Sequence, residues 1–444
     1  MPDKKIGFLH ATALVSGNMI GTGILFLPAS LAVFGYFSLW GWLISTVGAV
    51  TLAIVFARLS KLLPFTGGLY IYVDKAFGPL MGFIIGWGYW IAVWTGNAAI
   101  VITLVATLSS FFPFLNQSPL AALSIGIAVV WIITFINLKG IKEAAQFQMV
   151  TTILKIIPLV IIGTVGFFYF KSTSFWVRPQ HISYPAIFLQ TAALTLWSFL
   201  GLESATVPAE HIRNPEKNIA KATIIGTVLA AVIYIFSSTA VMGILTNANL
   251  AKSTAPFADA AEVIGGNIFY TIIAVSAVIA CLGTLNGWIL MQGQVAYAVA
   301  TNGAFPSFFK KKNRNNVPTN ALIISSALTC VVIGLNYSKS LQEQFQNLIL
   351  LSTLSTLIPY VFCSVAELMI KRKMEADFSW RKNIKLVVIT IIAFLFSIGA
   401  IIGTGPKSIL YGVILLNAGV PIYYLFQKMA KKNLGDDLAV DKTA

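Results

Sequence analysis

Apolar residues occupy this chain in long blocks rather than short periodic stripes. From Ile6 to Ala57 no Asp, Glu, Lys or Arg interrupts the run. A membrane-crossing helix needs about 20 apolar residues, so this block predicts two spans and a turn. Similar blocks recur and predict twelve spans, at roughly 8–33, 39–62, 80–111, 119–138, 147–170, 186–208, 219–245, 266–297, 318–336, 345–369, 384–402 and 408–427. Pro113 to Pro119 and Phe175 to Pro185 punctuate two of the connections. Residues 1–428 read as one transmembrane domain, and the polar stretch from 429 to 444 as a cytoplasmic tail without regular structure.

The first span contains an anomaly. Its centre reads Ser16-Gly17-Asn18-Met19-Ile20-Gly21-Thr22-Gly23 and continues to Pro28. Glycine costs a helix about 1 kcal/mol relative to alanine, so the helix is expected to weaken or open here. Open backbone survives at membrane depth only where protein or a water-filled cavity satisfies its N–H and C=O groups. The stretch therefore reads either as part of a binding site or as a small-residue packing face. A dinucleotide-binding reading of Gly21-Thr22-Gly23 fails, because the third glycine position is Phe26 and the context is a membrane span.

Composition supports the membrane class. Charged residues are 10% and hydrophobic residues 57% of 444, and the mean hydropathy is +0.83. Soluble domains carry about 25% charged residues. The short charged start Pro2-Asp3-Lys4-Lys5 leads into a full span, which is not the pattern of a cleaved signal. The net charge of +15 is explained by topology. With the N-terminus inside, 24 of the 30 Lys and Arg fall in cytoplasmic segments, five outside and one, Lys155, within a span. That asymmetry follows the positive-inside rule and places both termini in the cytoplasm without invoking nucleic acid. Cys281, Cys330 and Cys363 all lie in expected spans, so neither a disulfide framework nor a metal site is predicted. No phosphate-binding loop and no nucleophile–base pair is visible, which disfavours ATP-driven transport and an enzyme.

A second anomaly lies in span six, Trp197-Ser198-Phe199-Leu200-Gly201-Leu202-Glu203-Ser204-Ala205, with a bare carboxylate near mid-depth. Spans one and six are equivalent if the first ten spans are two repeats of five. Five is odd, so the repeats are inverted in the membrane. Interrupted segments at matching places in two halves point to the central site of a secondary transporter. The expected fold is thus an all-α membrane protein of 12 transmembrane helices. Its 5+5 inverted-repeat core (about 6–370) has broken helices 1 and 6, and two peripheral helices follow at about 384–428.

These stretches, with Pro64-Phe65-Thr66-Gly67-Gly68-Leu69-Tyr70-Ile71-Tyr72, Gly86-Trp87, Tyr89-Trp90 and Asn214-Pro215-Glu216-Lys217-Asn218, resemble the amino acid–polyamine–organocation transporter family. The resemblance covers essentially the whole chain. Within the family it is most similar to the bacterial basic amino acid/polyamine antiporters, above all those exchanging arginine for agmatine. It implies a ten-helix inverted repeat of the LeuT type, amino acid and amine substrates, lipid surroundings and no cofactor. Family members are often dimers, which leaves a homodimer open. The implied substrate site falls on Asn18, Ile20, Gly21, Thr22 and Gly23 in span one and on Tyr89, Ala92, Val93, Asn97 and Ile100 in span three. It continues with Trp197 and Leu200 in span six, Trp288 in span eight, and Ser352 and Tyr360 in span ten. The family more often has Ser at position 22.

The side chains suit those roles. Open N–H groups at Gly21–Gly23 and the positive end of the following half-helix suit a carboxylate. Open carbonyls near Ile20 and from Trp197 to Leu200 suit an ammonium. Trp197 and Trp288 can cover a cation, at about 0.5–2 kcal/mol each; the plain alternative is an aromatic belt at the membrane surface. Glu203 reads as a proton-responsive group or as a structural acid holding the helix break. Lys155 departs from the arginine/agmatine pattern, which is apolar there. In proton-coupled members of the family a lysine at this place stands in for a sodium ion; the plain alternative is a snorkelling lysine.

The expected function is exchange of a basic amino acid for its decarboxylated amine by alternating access. Arginine/agmatine leads, with lysine/cadaverine and ornithine/putrescine behind. A proton–amino acid symporter using Lys155 is the first alternative, and a membrane sensor that binds an amino acid without moving it is the second.

Overall fold

The computed structural model describes residues 5–177, 179, 183–336, 341–375 and 378–440; the side chains of Thr22, 336–351, 353 and 429–440 lie outside the described set. The described chain is helical apart from turns and two isolated bridges. The first expected span is two helices, α1 (Phe8–Met19) and α2 (Thr22–Leu31), followed by α3 (Ser38–Leu62), a short α4 (Leu69–Phe77) and the long α5 (Pro79–Ser109). A short α6 (Phe114–Gln117) leads to α7 (Pro119–Lys139), α8 (Ile141–Val165), a short α9 (Ser172–Phe175) and α10 (Tyr184–Leu196). Then come α11 (Pro215–Ile244), a short α12 (Asn247–Lys252), α13 (Pro256–Thr301), α14 (Thr319–Asn336), α15 (Leu341–Met374), α16 (Ile384–Gly403) and α17 (Pro406–Val440).

Nine stretches among the described residues are long and apolar enough to cross a membrane. One of them, Phe8–Leu62, contains the first two expected spans. The expected sixth span is not among the nine. Its helix stops at Leu196, and the remainder to Pro208 is a short 3-10 turn followed by open turns. Thr319–Leu335, the expected ninth span, is apolar but shorter than the others. Helix α17 continues to Val440, into the tail for which the sequence predicts irregular structure.

Sequence explains most of the boundaries. Proline opens α5, α7, α11 and α13, where its fixed φ suits the first turn and its missing N–H removes no bond. Helix α13 is bent at Gly265-Gly266, and Gly266 has φ +70°, a conformation that glycine adopts without a side-chain clash. The expected start of span eight at 266 coincides with that bend.

Helix α5 packs against α13, α15, α17 and α4, while α11 packs against α1, α3 and α8. The close crossings use small residues, as membrane bundles require when backbones approach. A Cβ on Gly226 of α11 would lie 2.9 Å from Val15 Cβ of α1. Outward faces of α7 and α16 expose Phe135 (60%) and Leu395 (62%), a surface suited to lipid.

Backbone hydrogen bonds tie the segments flanking the broken helices together. Ile6 N–H donates to the His211 carbonyl and Arg213 N–H to the Ile6 carbonyl, both at 2.9 Å. Gly67 N–H, in the α3–α4 connection, donates to the Val207 carbonyl at 2.9 Å. The start of span one, the end of span six and this connection therefore form one backbone-bonded unit.

Gly226→Ala tests the α1–α11 crossing. Overpacking of this kind costs about 1–3 kcal/mol, so a lowered midpoint of thermal unfolding in detergent is expected. An unchanged midpoint would show that α1 has room to yield.

Candidate functional site

The two interruptions meet. Helix α1 ends at Met19, Ile20 and Gly21 are non-helical, and α2 restarts at Thr22. The N–H groups of the first turn of α2 have no acceptors within their own helix. In span six the break turns at Gly201, whose φ of +102° favours glycine. A Cβ there would sit 3.1 Å from Asn18 Cβ and 3.2 Å from Trp288 Cζ2. A side chain there would force Asn18 or Trp288 to give way and would strain the positive φ.

A cavity lies at this meeting point. Its volume is about 70 Å³ for the centres of water molecules, several times the roughly 10–15 Å³ that one ordered water needs. That is room for a small solute. Asn18, Gly21 and Gly23 line it from span one, and Trp197, Ser198 and Leu200 from span six. Ala92, Val93 and Ile100 come from α5, Thr284 and Trp288 from α13, and Ser352 from α15. Among the described residues no charged side chain lines it. Several lining hydroxyls already give their protons to backbone: Ser352 Oγ donates to the Ala92 carbonyl at 2.8 Å, and Thr356 Oγ1 to the Ser352 carbonyl at 3.0 Å. Their oxygen lone pairs remain as acceptors. A wall of acceptors and indoles suits a cation, and the open N–H end of α2 suits an anion.

The two ionisable groups singled out in the sequence both lie behind the wall. Glu203 is fully buried. Tyr89 of α5 donates to its Oε1 at 2.5 Å, and Tyr360 of α15 donates to Oε2. Tyr360 also accepts from Gly201 N–H at 3.4 Å. One carboxylate thus joins α5, α15 and the turn of span six, without an ion-pair partner among the described residues.

Lys155 is 1% exposed. Its Nζ donates to the Gly17 carbonyl at 2.5 Å and to Thr284 Oγ1 at 3.1 Å. The amine points inward to the broken end of α1 instead of snorkelling. A cation at the C-terminal end of a helix is favoured by the helix dipole, and Gly17 is one of the carbonyls released by the break. Thr284 Oγ1 lies 3.3 Å from the Gly17 carbonyl and 3.4 Å from the Ile20 carbonyl. It links Lys155 to the cavity.

Of the substrate-site residues implied by the sequence, ten line the cavity: Asn18, Gly21, Gly23, Ala92, Val93, Ile100, Trp197, Leu200, Trp288 and Ser352. Both tryptophans are therefore at the cavity and not in a surface belt. Ile20 is beside it, with its carbonyl facing Thr284. Tyr89 and Tyr360 reach the carboxylate of Glu203. Asn97 is turned away: it is fully buried and its Nδ2 donates to Gln292 Oε1 at 2.8 Å. The side chain of Thr22 lies outside the described residues. The sequence reading missed Met19, Gly96, Ala99, Ser198, Thr284 and Thr356. Helical spacing held a signal for three of them. Gly96 is one turn from Ala92, Thr284 one turn from Trp288, and Thr356 one turn from Ser352.

An all-helical membrane bundle with two broken segments facing one small neutral cavity defines a transporter for a small solute. A family model described as amino acid permease matches residues 6–429, and the chain belongs to that family, within the amino acid–polyamine–organocation transporters. It is 35% identical over 370 residues to the cadaverine/lysine antiporter of Escherichia coli (strain K12), covering 82% of this chain and 83% of that protein. It is 34% identical over 424 residues to the putrescine transporter PotE of Haemophilus influenzae, covering 95% and 96%. The E. coli (strain K12) putrescine transporter PotE is 33% identical over 433 residues. The family and these relatives are transporters and not enzymes.

The clamp on Glu203 yields a test. Since this carboxylate does not line the cavity, Glu203→Gln is expected to change the pH profile of transport while KM moves by less than about threefold, under about 1 kcal/mol. The measurement is initial uptake across pH at saturating and limiting substrate. A wild-type pH profile would leave the carboxylate as a purely structural clamp.

Proposed function

We propose that the protein is a secondary transporter of the inner membrane that exchanges a cationic amino acid for its decarboxylated amine by alternating access. The observation that carries this reading is the cavity between the two breaks. One side offers the open N–H groups of α2, and the other offers carbonyls, hydroxyl lone pairs and two indoles, with no fixed charge. The α-carboxylate is assigned to the N–H groups of Thr22 and Gly23 at the start of α2, since Gly21 N–H already donates to the Met19 carbonyl at 2.9 Å, and the α-ammonium to the carbonyls of Ile20 and Trp197. The cationic side chain is assigned to Trp197, Trp288 and Ser352. An amine without the carboxylate uses the second half of this site alone. The excess of Lys and Arg in loops on one side of the membrane supports cytoplasmic termini.

Among substrate pairs, lysine/cadaverine now stands ahead of arginine/agmatine and ornithine/putrescine. The relatives' names support lysine, cadaverine and putrescine over arginine and agmatine, and the neutral site suits all three pairs. A second reading, proton–amino acid symport, is favoured by one observation: the buried amine of Lys155 on the Gly17 carbonyl. Loss of its proton would withdraw the charge that holds the end of α1.

Proteoliposomes separate the two. Labelled lysine, arginine and ornithine are offered to vesicles that are empty, loaded with the matching amine, or given an inward proton gradient. Uptake only against internal amine is the expected result. Uptake into empty vesicles that rises with the proton gradient would move the assignment to symport. Exchange of a monocation for a dication exports one positive charge per cycle, worth about 2.3 kcal/mol per 100 mV. Lysine uptake against internal cadaverine should therefore accelerate when the vesicle interior is made positive, and indifference to potential would contradict that stoichiometry. Trp288→Ala should reduce kcat/KM by about tenfold or more, from the lost cation–π contact and packing, with the folded yield retained. Normal flux would remove Trp288 from the site.

A further inference from the structure

Five buried neutral side chains form one chain of hydrogen bonds that begins outside the cavity, passes through Asn18 on its wall and ends at the Gly201 carbonyl. Asn137 Nδ2, on α7, donates to Asn286 Oδ1 on α13 at 3.0 Å. Asn286 Nδ2 donates to Gln148 Oε1 on α8 at 3.0 Å, and Gln148 Nε2 to Asn18 Oδ1 on α1 at 3.4 Å. Asn18 Nδ2 donates to Ser204 Oγ at 2.8 Å, and Ser204 Oγ to the Gly201 carbonyl at 2.5 Å. Of the five, only Asn18 lines the cavity.

The direction of every donor is fixed from the outer end. Asn137 Nδ2 also donates to the Ile133 carbonyl, and Asn286 Nδ2 to the Ala144 carbonyl, each at 3.0 Å. A backbone carbonyl only accepts, so both amides must present nitrogen there. The Asn286 nitrogen then demands the oxygen of Gln148, which leaves the Gln148 nitrogen for Asn18. With its oxygen taken, Asn18 turns its nitrogen to Ser204, and the Ser204 proton goes to Gly201. All five bonds point the same way, and such chains polarise and strengthen one another.

We propose that Gln148 is a positioning residue for transport. As the central link it fixes the Asn18 amide and, through Ser204, closes the Gly201 carbonyl. It thereby sets which atoms of the Asn18 amide, the one link on the cavity wall, are held in place beside the substrate. The Gly201 carbonyl takes both the hydroxyl and the N–H of Ser204, the latter at 3.0 Å. The carbonyls of Trp197 and Ile20 have looser partners, Leu200 N–H at 3.3 Å and Thr284 Oγ1 at 3.4 Å. Cutting the chain at Gln148 frees the Asn18 amide to turn over, so that the one link on the cavity wall loses its fixed orientation and the Ser204 hydroxyl can leave the Gly201 carbonyl for the Asn18 oxygen. This inference rests on the exchanger reading of the same cavity.

A double-variant cycle tests it. Gln148 and Ser204 share no hydrogen bond, so independent roles would give effects that multiply. KM for labelled lysine in exchange is measured for Gln148→Leu, Ser204→Ala and the pair. Each single change is expected to raise KM about tenfold, and the pair to lie within about twofold of the worse single, because either cut interrupts the same chain. A pair whose KM equals the product of the singles overturns the proposal. So does Gln148→Leu with wild-type KM and a reduced maximal rate, the mark of a packing role alone. If Gln148→Leu does not fold, Asn137→Ala with Ser204→Ala gives the same cycle from the outer end. Wild-type protein with no flux of lysine, arginine or ornithine would overturn the exchanger reading itself.

Discussion

Everything at the centre of this molecule follows from one constraint: backbone opened at membrane depth must find hydrogen-bond partners within the protein. Two helices are open here, and their released groups are met by side chains from other elements. Lys155 of α8 and Thr284 of α13 take the Gly17 carbonyl. Tyr234 of α11 takes the Ser198 carbonyl at 2.9 Å. Tyr360 of α15 and Ser204 take the two sides of Gly201. The helices around the breaks are thus the condition for the breaks to exist. Groups left unsatisfied at the cavity are those on offer to a solute.

The second organising fact is where charge is kept. Glu203 and Lys155 each stand one layer behind the cavity wall, tied to backbone or phenol oxygen. A carboxylate in direct contact with a bound cation, away from water, would hold it with many kcal/mol of attraction. A transporter must release what it binds. A wall of indoles, hydroxyl lone pairs and carbonyls holds a cation by increments small enough to undo, while the buried charges act on the protein's own backbone.

Much of this was legible in the sequence. Long uncharged runs located the helices, and glycine with small polar residues marked both breaks, because such residues weaken a helix in the middle of an apolar span. Trp197 and Trp288 followed from the family resemblance. What the sequence hid depends on partners far away along the chain. Asn97 looks like a site residue until Gln292, almost two hundred positions later, turns it aside. Gln148, Asn286 and Asn137 look like ordinary polar residues in apolar runs, because each is meaningful only beside the next. The interruption of the sixth span was expected from Gly201 and its small polar neighbours, but hydropathy does not register that the helix ends as early as Leu196.

The backbone bonds around Ile6 tie the two interrupted spans a second time. Span one and span six touch through Asn18 and Gly201 at the cavity, and again through Ile6 and Arg213 near the start of the chain. Two strips fastened at two places share their alignment: a substitution that displaces one break meets resistance at both fastenings.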